Sequence, residues 1–379
     1  GPTHKEGGTN FTDSIMIGDN ATGTLSSATK NTALGVNVFA SLTSGTNNVA
    51  IGYDALTANT TGGSNTSVGY KSLDANTTGA SNTSVGKSAM GNATEGDSNT
   101  GIGAGALGAL TTGSYNTAVG QSAGGGTTAS NNTSVGYAAL TANTTGANNV
   151  ALGFGALDAN TTASDNTAVG RSALGANTTG TYNTGLGRSA LGNSSTASSN
   201  TSVGYNSLVA NTTGSFNTAV GTLALTANTT GANNVALGAN ALDANTTASN
   251  NVGIGRNAAG NTTTGAENIA IGTNALLANT TGATNVAVGI YALNANTTAS
   301  NNTAVGSSAL TANTTGAGNT AVGSLALAAN TTGADNVAIG RSSMAAATTA
   351  DQTISIGHIA GAALTTGDYN TFIGGGAGT

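Results

Sequence analysis

Side chains that could do chemistry are scarce in this chain. Two histidines, His4 and His358, stand near opposite ends, and there is no cysteine. No His/Cys/Asp cluster has the spacing of a metal site. Without cysteine there are no disulfides or thiolate ligands, and the redox compartment stays open. The eleven aspartates are not periodic, unlike those of a calcium-binding β-roll. Gly124, Gly125 and Gly126 are not followed by a lysine and a helix, so they do not read as a phosphate loop. No strained nucleophile turn is visible. An enzyme is not expected, and no catalytic residue, metal or cofactor is assigned.

One chemical feature does recur. Tyr53, Tyr70 and Lys87 are spaced 17 residues apart, as are Tyr137, Phe154, Arg171, Arg188 and Tyr205. Arg256, Arg341 and His358 fall in the same frame, so most basic residues share one column. Aromatic and guanidinium groups in a row can stack on the sugars of a cell-surface glycan. The plainer reading is an outer ladder that stacks on itself and keeps the molecule soluble. Tyr115, Tyr182, Phe216 and Tyr369 form a second such column and take the same two readings. The recurring Asn-Thr-Thr triplets, at Asn59, Asn76, Asn143, Asn160 and elsewhere, match the N-glycosylation acceptor pattern. The alternative favoured for them is an inward asparagine ladder.

What positions these residues is a ruler. One glycine per repeat, preceded by Val, Ile or Leu as in "AVG" or "AIG", recurs 22 times from Gly18 to Gly374, always 17 residues apart except for one step of 16 from Gly120 to Gly136. The consensus is N-T-A-V-G-x-x-A-L-x-A-N-T-T-G-x-x, numbered here as positions 1 to 17. Such a period, with a single proline and no helix-capping signals, predicts an all-β chain in which each repeat is one β-solenoid coil with two or three short strands. Gly at position 5 suits a corner needing positive φ or close backbone approach. Gly or Ala at position 15 marks a second corner. Asn at positions 1 and 12 is expected to stack coil on coil. Leu42, Leu110 and Leu364 replace the position 12 Asn, which suggests an inward column. Position 9, usually Leu, is a second core column. Residues 1–13, beginning with a Gly1-Pro2 pair that resembles a protease-cleavage scar, read as a leading segment. Residues 14–379 read as one repeat domain. At about 4.8 Å per coil the rod would be on the order of 100 Å long.

Position 2 alternates between Thr and β-branched aliphatics such as Val49 and Val150, and position 4 is always Val, Ile or Leu. Both are expected to face inward, because alternate strand residues share a face. Position 3 would then face outward, where it is Ala, Ser or Gly in every repeat from Ala33 to Ser355. Met16 and Phe372, in the first and last repeats, are the exceptions. Small residues on an outward face would let another backbone approach. Since each coil supplies only about one Val, one Leu and a few Ala, a chain-to-chain contact along position 3 is expected. The expected assembly is a closed homotrimer, intertwined or side by side.

The composition fits this thin architecture. Of 379 residues 59 are glycine, only 6% are charged, and the 37% apolar fraction is largely alanine, too little for a conventional core. A net charge of −6 with eight Lys and Arg argues against nucleic acid or an anionic membrane as partner. No apolar run approaches the ~18 residues of a membrane span, and no signal peptide is visible.

The segments Asn65–Gly69, Asn217–Gly221 and Asn302–Gly306 carry a likeness. The repeat resembles those of tail-fibre-like phage and surface proteins, and it is similar to the heads of trimeric autotransporter adhesins. The resemblance covers essentially the whole chain. It implies a trimeric left-handed parallel β-roll serving as an adhesive fibre or shaft, on a virion or an extracellular cell surface. The chain departs from the family in lacking an anchor, a stalk coiled coil and a chaperone, and it stops at Thr379 inside a repeat, so a fragment of a longer fibre is expected. Its partners would be copies of itself and a glycan or protein receptor. Leu140–Gly153 recurs identically as Leu225–Gly238, five repeats later, which suits a spacer grown by duplication. Two other functions are weighed. Ice binding would use the Thr pair at positions 13 and 14, but strand alternation leaves one outward Thr per coil. A polysaccharide depolymerase would need paired carboxylates, and no close pair is evident.

Overall fold

The structure, a computed structural model, describes residues 3–6, 10–18 and 24–379. The Gly1-Pro2 pair and the side chain of His4 lie outside the described residues. The chain divides into two compact units, Gly1–Arg188 and Ser189–Thr379. Each is a parallel β-solenoid, and no helix occurs among the described residues.

In the first unit a short strand, β1 (Thr3–Glu6), pairs antiparallel with β2 (Ile15–Gly18). From β2 to β12 (Thr184–Leu186), each strand pairs parallel with the next. The second unit repeats the arrangement from β13 (Thr201–Val203) to β23 (Thr371–Ile373). Register follows the repeat, with Val252, Gly253 and Ile254 opposite Ile269, Ala270 and Ile271. The 16-residue coil keeps this register, with Thr117 opposite Thr133. There Thr128 at position 13 is followed directly by Ala129 at position 15, so the missing residue is the exposed position 14.

Thr and the mostly β-branched aliphatics at positions 2 and 4 favour extended backbone, and each coil forms one strand there, of three residues except in β2, which has four. The expected second and third strands do not form. Positive φ recurs instead at positions 7, 9 and 17, as at Asp54 (55°), Leu56 (50°) and Ser64 (59°), and it turns the chain. Coil-to-coil hydrogen bonding nevertheless continues through the turns. Leu276 N–H donates to Ala292 C=O at 2.9 Å, and Thr280 N–H to Thr297 C=O at 2.8 Å.

Position 5 is glycine for two reasons. Its φ runs from 119° at Gly374 to 141° at Gly35. A Cβ on Gly272 would also lie 2.6 Å from the carbonyl oxygen of Gly289 in the next coil. Neither condition admits a side chain.

The inward columns reverse the expected strand parity. Position 3 is the buried one: Ala50, Ala168, Ala270 and Ala338 have no exposed surface, and the same holds for Ser67 and Ser84. Positions 2 and 4 face out. The reason is the thinness of the coil. Leu at position 9 of one coil lies over position 3 of the next, so there is no room for a second large group. A Cβ on Gly253 would come within 3.0 Å of Leu242 Cγ, and one on Gly101 within 2.8 Å of Met90 Cγ. At the last coil the sizes swap, with Phe372 at position 3 packed over Gly361 at position 9 of the preceding coil. Serine is tolerated inside because it is bonded: Ser72 Oγ donates to Ser84 Oγ at 2.7 Å.

The asparagine columns are inward as expected. At position 12, Asn228 Nδ2 donates to Asn211 Oδ1 at 2.9 Å and to its own coil's Gly231 carbonyl at 3.0 Å. Leu42 and Leu110, which replace Asn there, are fully buried.

Candidate functional site

Because position 3 points inward, the outward face of each strand ladder carries the large residues. Thr, Val or Ile at position 2 and Val, Ile or Leu at position 4 form two parallel ranks, one row per coil. Leu34 is 49% exposed, Leu152 45%, Leu237 46% and Ile354 41%. The ladder hydrogen bonds hold these side chains at the strand spacing, so the ranks form a regular strip in each unit.

Position 6 flanks one edge of this strip, just past the glycine corner. Tyr53 and Tyr70 stack with ring centroids 5.5 Å apart and planes 10° apart. Tyr137 and Phe154 stack at 5.3 Å and 14°. The Arg171 guanidinium lies over the Phe154 ring, 5.7 Å from its centroid. Of the five residues read as a contact stripe, the structure therefore joins Tyr137, Phe154 and Arg171 into one stack. Arg188 ends the first unit, and Tyr205 belongs to the second. In the stack both faces of Phe154 are occupied, so an approaching sugar would meet ring edges and the exposed Tyr137. Arg341 donates to His358 Nε2 in the neighbouring coil.

Positions 16 and 17 flank the other edge, and they hold most of the exposed acids. At position 16 the acid has a local task. Asp97 Oδ1 accepts the Ala80 N–H at 2.7 Å, and Asp351 Oδ1 accepts the Ala334 N–H at 2.7 Å. Asp351 and Asp368 occupy this column in adjacent coils, and Asp368 Oδ1 accepts the Asp351 N–H at 2.9 Å. Reading by repeats missed this neighbouring pair of acids, although the shared column number was there to find it. Tyr115, Tyr182, Phe216 and Tyr369 at position 17 are all exposed.

A third group of acids sits on the turn at position 10. Burial raises the carboxyl pKa of Asp243 above its ordinary value, and does the same for Asp74, where Lys71 pulls in the opposite direction. Asp158, the most exposed of the three, shifts the same way for the same cause. Each is followed 17 residues later by a glycine: Gly91, Gly175 and Gly260.

The Asn-Thr-Thr triplets belong to the inward ladder. Asn59, Asn76, Asn143 and Asn160 are fully buried, and the Asn160 amide is spent on Asn143 Oδ1 at 2.8 Å. Of the two threonines, position 13 turns its hydroxyl to the backbone, with Thr229 Oγ1 donating to Thr246 C=O at 3.0 Å. Position 14 is exposed in nearly every coil, while position 13 is half-buried in most and exposed in the others, as at Thr111, Thr144, Thr212 and Thr365.

Among the described residues no group of three His, Cys, Asp or Glu is placed to hold a metal. No described helix is long and apolar enough to cross a membrane. No protein-family model matches the chain, and no curated protein matches it.

Proposed function

We propose that this chain is a structural, adhesive fibre segment that works as a closed homo-oligomer, with three copies the expected number. The observation that carries the reading is the outward, uncharged strip formed by Val, Ile or Leu at position 4 beside Thr, Val or Ile at position 2. A solvated strand face would carry charge, and soluble monomers rarely expose continuous apolar patches above a few hundred Å². Each unit has eleven parallel-ladder strands, β2 to β12 and β13 to β23. At very roughly 100 Å² of outward surface per coil, one unit offers on the order of 1,000 Å², the scale of a specific interface. Burying it would contribute to stability what the thin core does not.

The contact therefore lies on positions 2 and 4, the opposite face from position 3. Copies joined this way make a shaft or head that binds a cell-surface glycan or protein receptor, or presents a tip that does. The setting is a virion fibre or an extracellular surface. The exposed position 6 and position 17 aromatics are the candidates for contact with such a receptor where neighbouring copies leave them uncovered.

Sedimentation equilibrium tests the reading. A stable trimer is expected, and a monomer at micromolar concentration would overturn it. A thermal-hysteresis assay separates it from ice binding: ice shaping by the monomeric chain would put the strip to a different use.

A further inference from the structure

Taking that self-association as given, we infer that the copies run parallel and in register, and that ion pairs between neighbouring copies set the register. The pairs join position 6 cations of one copy to position 16 and 17 acids of the next.

The two groups of charge lie on opposite edges of the same strip. Asp165 and Arg171 flank the strand Thr167–Val169, as Asp335 and Arg341 flank Val337–Ile339. The strand and the turns at its two ends set such a pair on opposite edges, up to roughly 20 Å apart along the backbone. All these side chains are exposed.

Their rows nevertheless match. Asp165 shares a strand row with Arg171, Asp335 with Arg341, and Asp351 with His358. Asp97 stands one row beyond Lys87, Glu267 one row beyond Arg256, and Asp368 one row beyond His358. Five of the seven acids at positions 16 and 17 are thus on the row of a position 6 Lys or Arg or one row past it; Asp368 is one row past His358, and Asp13 has no position 6 basic residue on its row. Arg188 is the one basic residue at position 6 whose row and following row carry no acid at these positions.

Acids and cations set on opposite edges of the strip have no reason to share rows within one chain. A ring of parallel copies supplies one. If the strips face a common axis, the position 6 edge of each copy lies beside the position 16–17 edge of the next, a heterologous contact that closes. A stagger of zero or one row is about 0 to 5 Å, within reach of an Arg or Lys side chain. A slip of two further rows moves each pair apart by about 10 Å. The apolar ranks are nearly identical from row to row and cannot choose a register, so the charges do.

Position 16 acids also accept a backbone N–H, but a carboxylate has a second oxygen to offer. Asp165, Glu267 and Asp335 are at position 17, where such capping is not the use. Asp165 accepts only from the Asn148 amide, at 3.2 Å.

The absence of cysteine makes the test clean. The double variant Arg256→Glu/Arg341→Glu should raise the dissociation concentration about tenfold or more at low salt, with unchanged circular dichroism. Adding Glu267→Arg and Asp335→Arg to it should restore assembly. In a second experiment a chain with Arg256→Cys and Glu267→Cys is treated with a short bismaleimide. Covalent oligomers are expected on a denaturing gel, while Arg256→Cys with Asp335→Cys, five rows apart, should give none. Charge reversal without effect on an oligomeric wild type, or cross-linking by the distant pair, would overturn the register inference and leave self-association standing. A monomeric wild type would instead remove the reading on which it rests.

Discussion

The side-chain oxygen of Asn251 accepts the backbone N–H of Asn268 at 2.8 Å, while the Asn251 amide donates to the Gly265 carbonyl at 2.9 Å. One buried side chain thus closes its own coil and bonds the next. The same pair of bonds recurs at Asn268, which reaches Asn285 N–H and Gly282 C=O, both at 2.9 Å. Asn268→Ala would leave the buried Asn285 N–H without its partner, while the Gly282 carbonyl keeps the Asn279 amide at 2.9 Å. The expected cost is about 1–3 kcal/mol, read as a lower midpoint in thermal unfolding. Asn268→Thr should cost roughly half as much, because a hydroxyl keeps the acceptor. The chain already uses this solution at its ends, where Ser14 Oγ accepts Asn31 N–H at 2.8 Å and Thr353 Oγ1 accepts Asn370 N–H at 3.3 Å.

The position 12 ladder ends in orphans that can be repaired. Asn76, Asn177, Asn245 and Asn330 each have a buried Oδ1 with no hydrogen bond. Each is followed in the next coil by a residue without an amide: Ala93, Ser194, Thr262 and Ala347. Thr262→Asn would present an Nδ2 to Asn245 Oδ1 and join the ladder to Asn279. A gain of about 1 kcal/mol is expected, a few degrees in the unfolding midpoint. No change would mean that the orphan oxygen already has a partner in solution, such as a buried water.

How much of this could be read from the repeat depends on the column. The Gly at position 5, the Asn at positions 1 and 12 and the Leu at position 9 were legible, because each is a residue type with one strong physical use. The parity of the strand was not. Both faces are free of charge, and a one-residue shift exchanges them. Large residues were read as core, yet a coil with one strand has room for only one large side chain, and Leu at position 9 takes it. The left-handed turn at position 7 had a signal that went unused, a column rich in Asn, Ser and Gly, including Asn240, Asn257 and Asn274. The matched charge rows at the strip edges become meaningful only once the strip itself is known to face out.

Two adjacent residues test the parity directly. Ala287 is fully buried, while its neighbour Val288 faces out on the same strand. Ala287→Leu overfills the space under position 9 of the preceding coil and should destabilise by about 1–3 kcal/mol or more. Val288→Lys should change the stability of the single chain by less than about 1 kcal/mol. It should nonetheless weaken assembly at least tenfold, because it places charge in the apolar strip. Circular dichroism and sedimentation, run on both variants, separate the two effects. A folded Ala287→Leu chain beside an unfolded Val288→Lys chain would reverse the assignment of faces.

The position 10 aspartates give the fold a defined response to pH. Asp243 is half-buried, and a Cβ built on Gly260 in the next coil would lie 3.2 Å from its Oδ1. This close cover strips water from the carboxylate and raises its pKa above the ordinary 3.8. With the folded value raised, the native chain holds its proton more tightly than the unfolded chain. Stability at this site is then greatest below the unfolded value and falls as pH rises through the folded one. Asp243→Asn removes the ionisable group while keeping the shape. The variant should be the more stable chain at pH 7, by less than about 0.5 kcal/mol once solvent screening is allowed for. The difference should shrink as the pH drops below 4, where both side chains are neutral. Gly260→Ala, which crowds the carboxylate further, should widen the gap between its midpoints at pH 3 and pH 7. Thermal midpoints of the three chains across pH 3 to 8 measure this. An Asp243→Asn advantage that stays constant down to pH 3 would show that the amide gains by packing, and that ionisation of a covered carboxylate is not the cause.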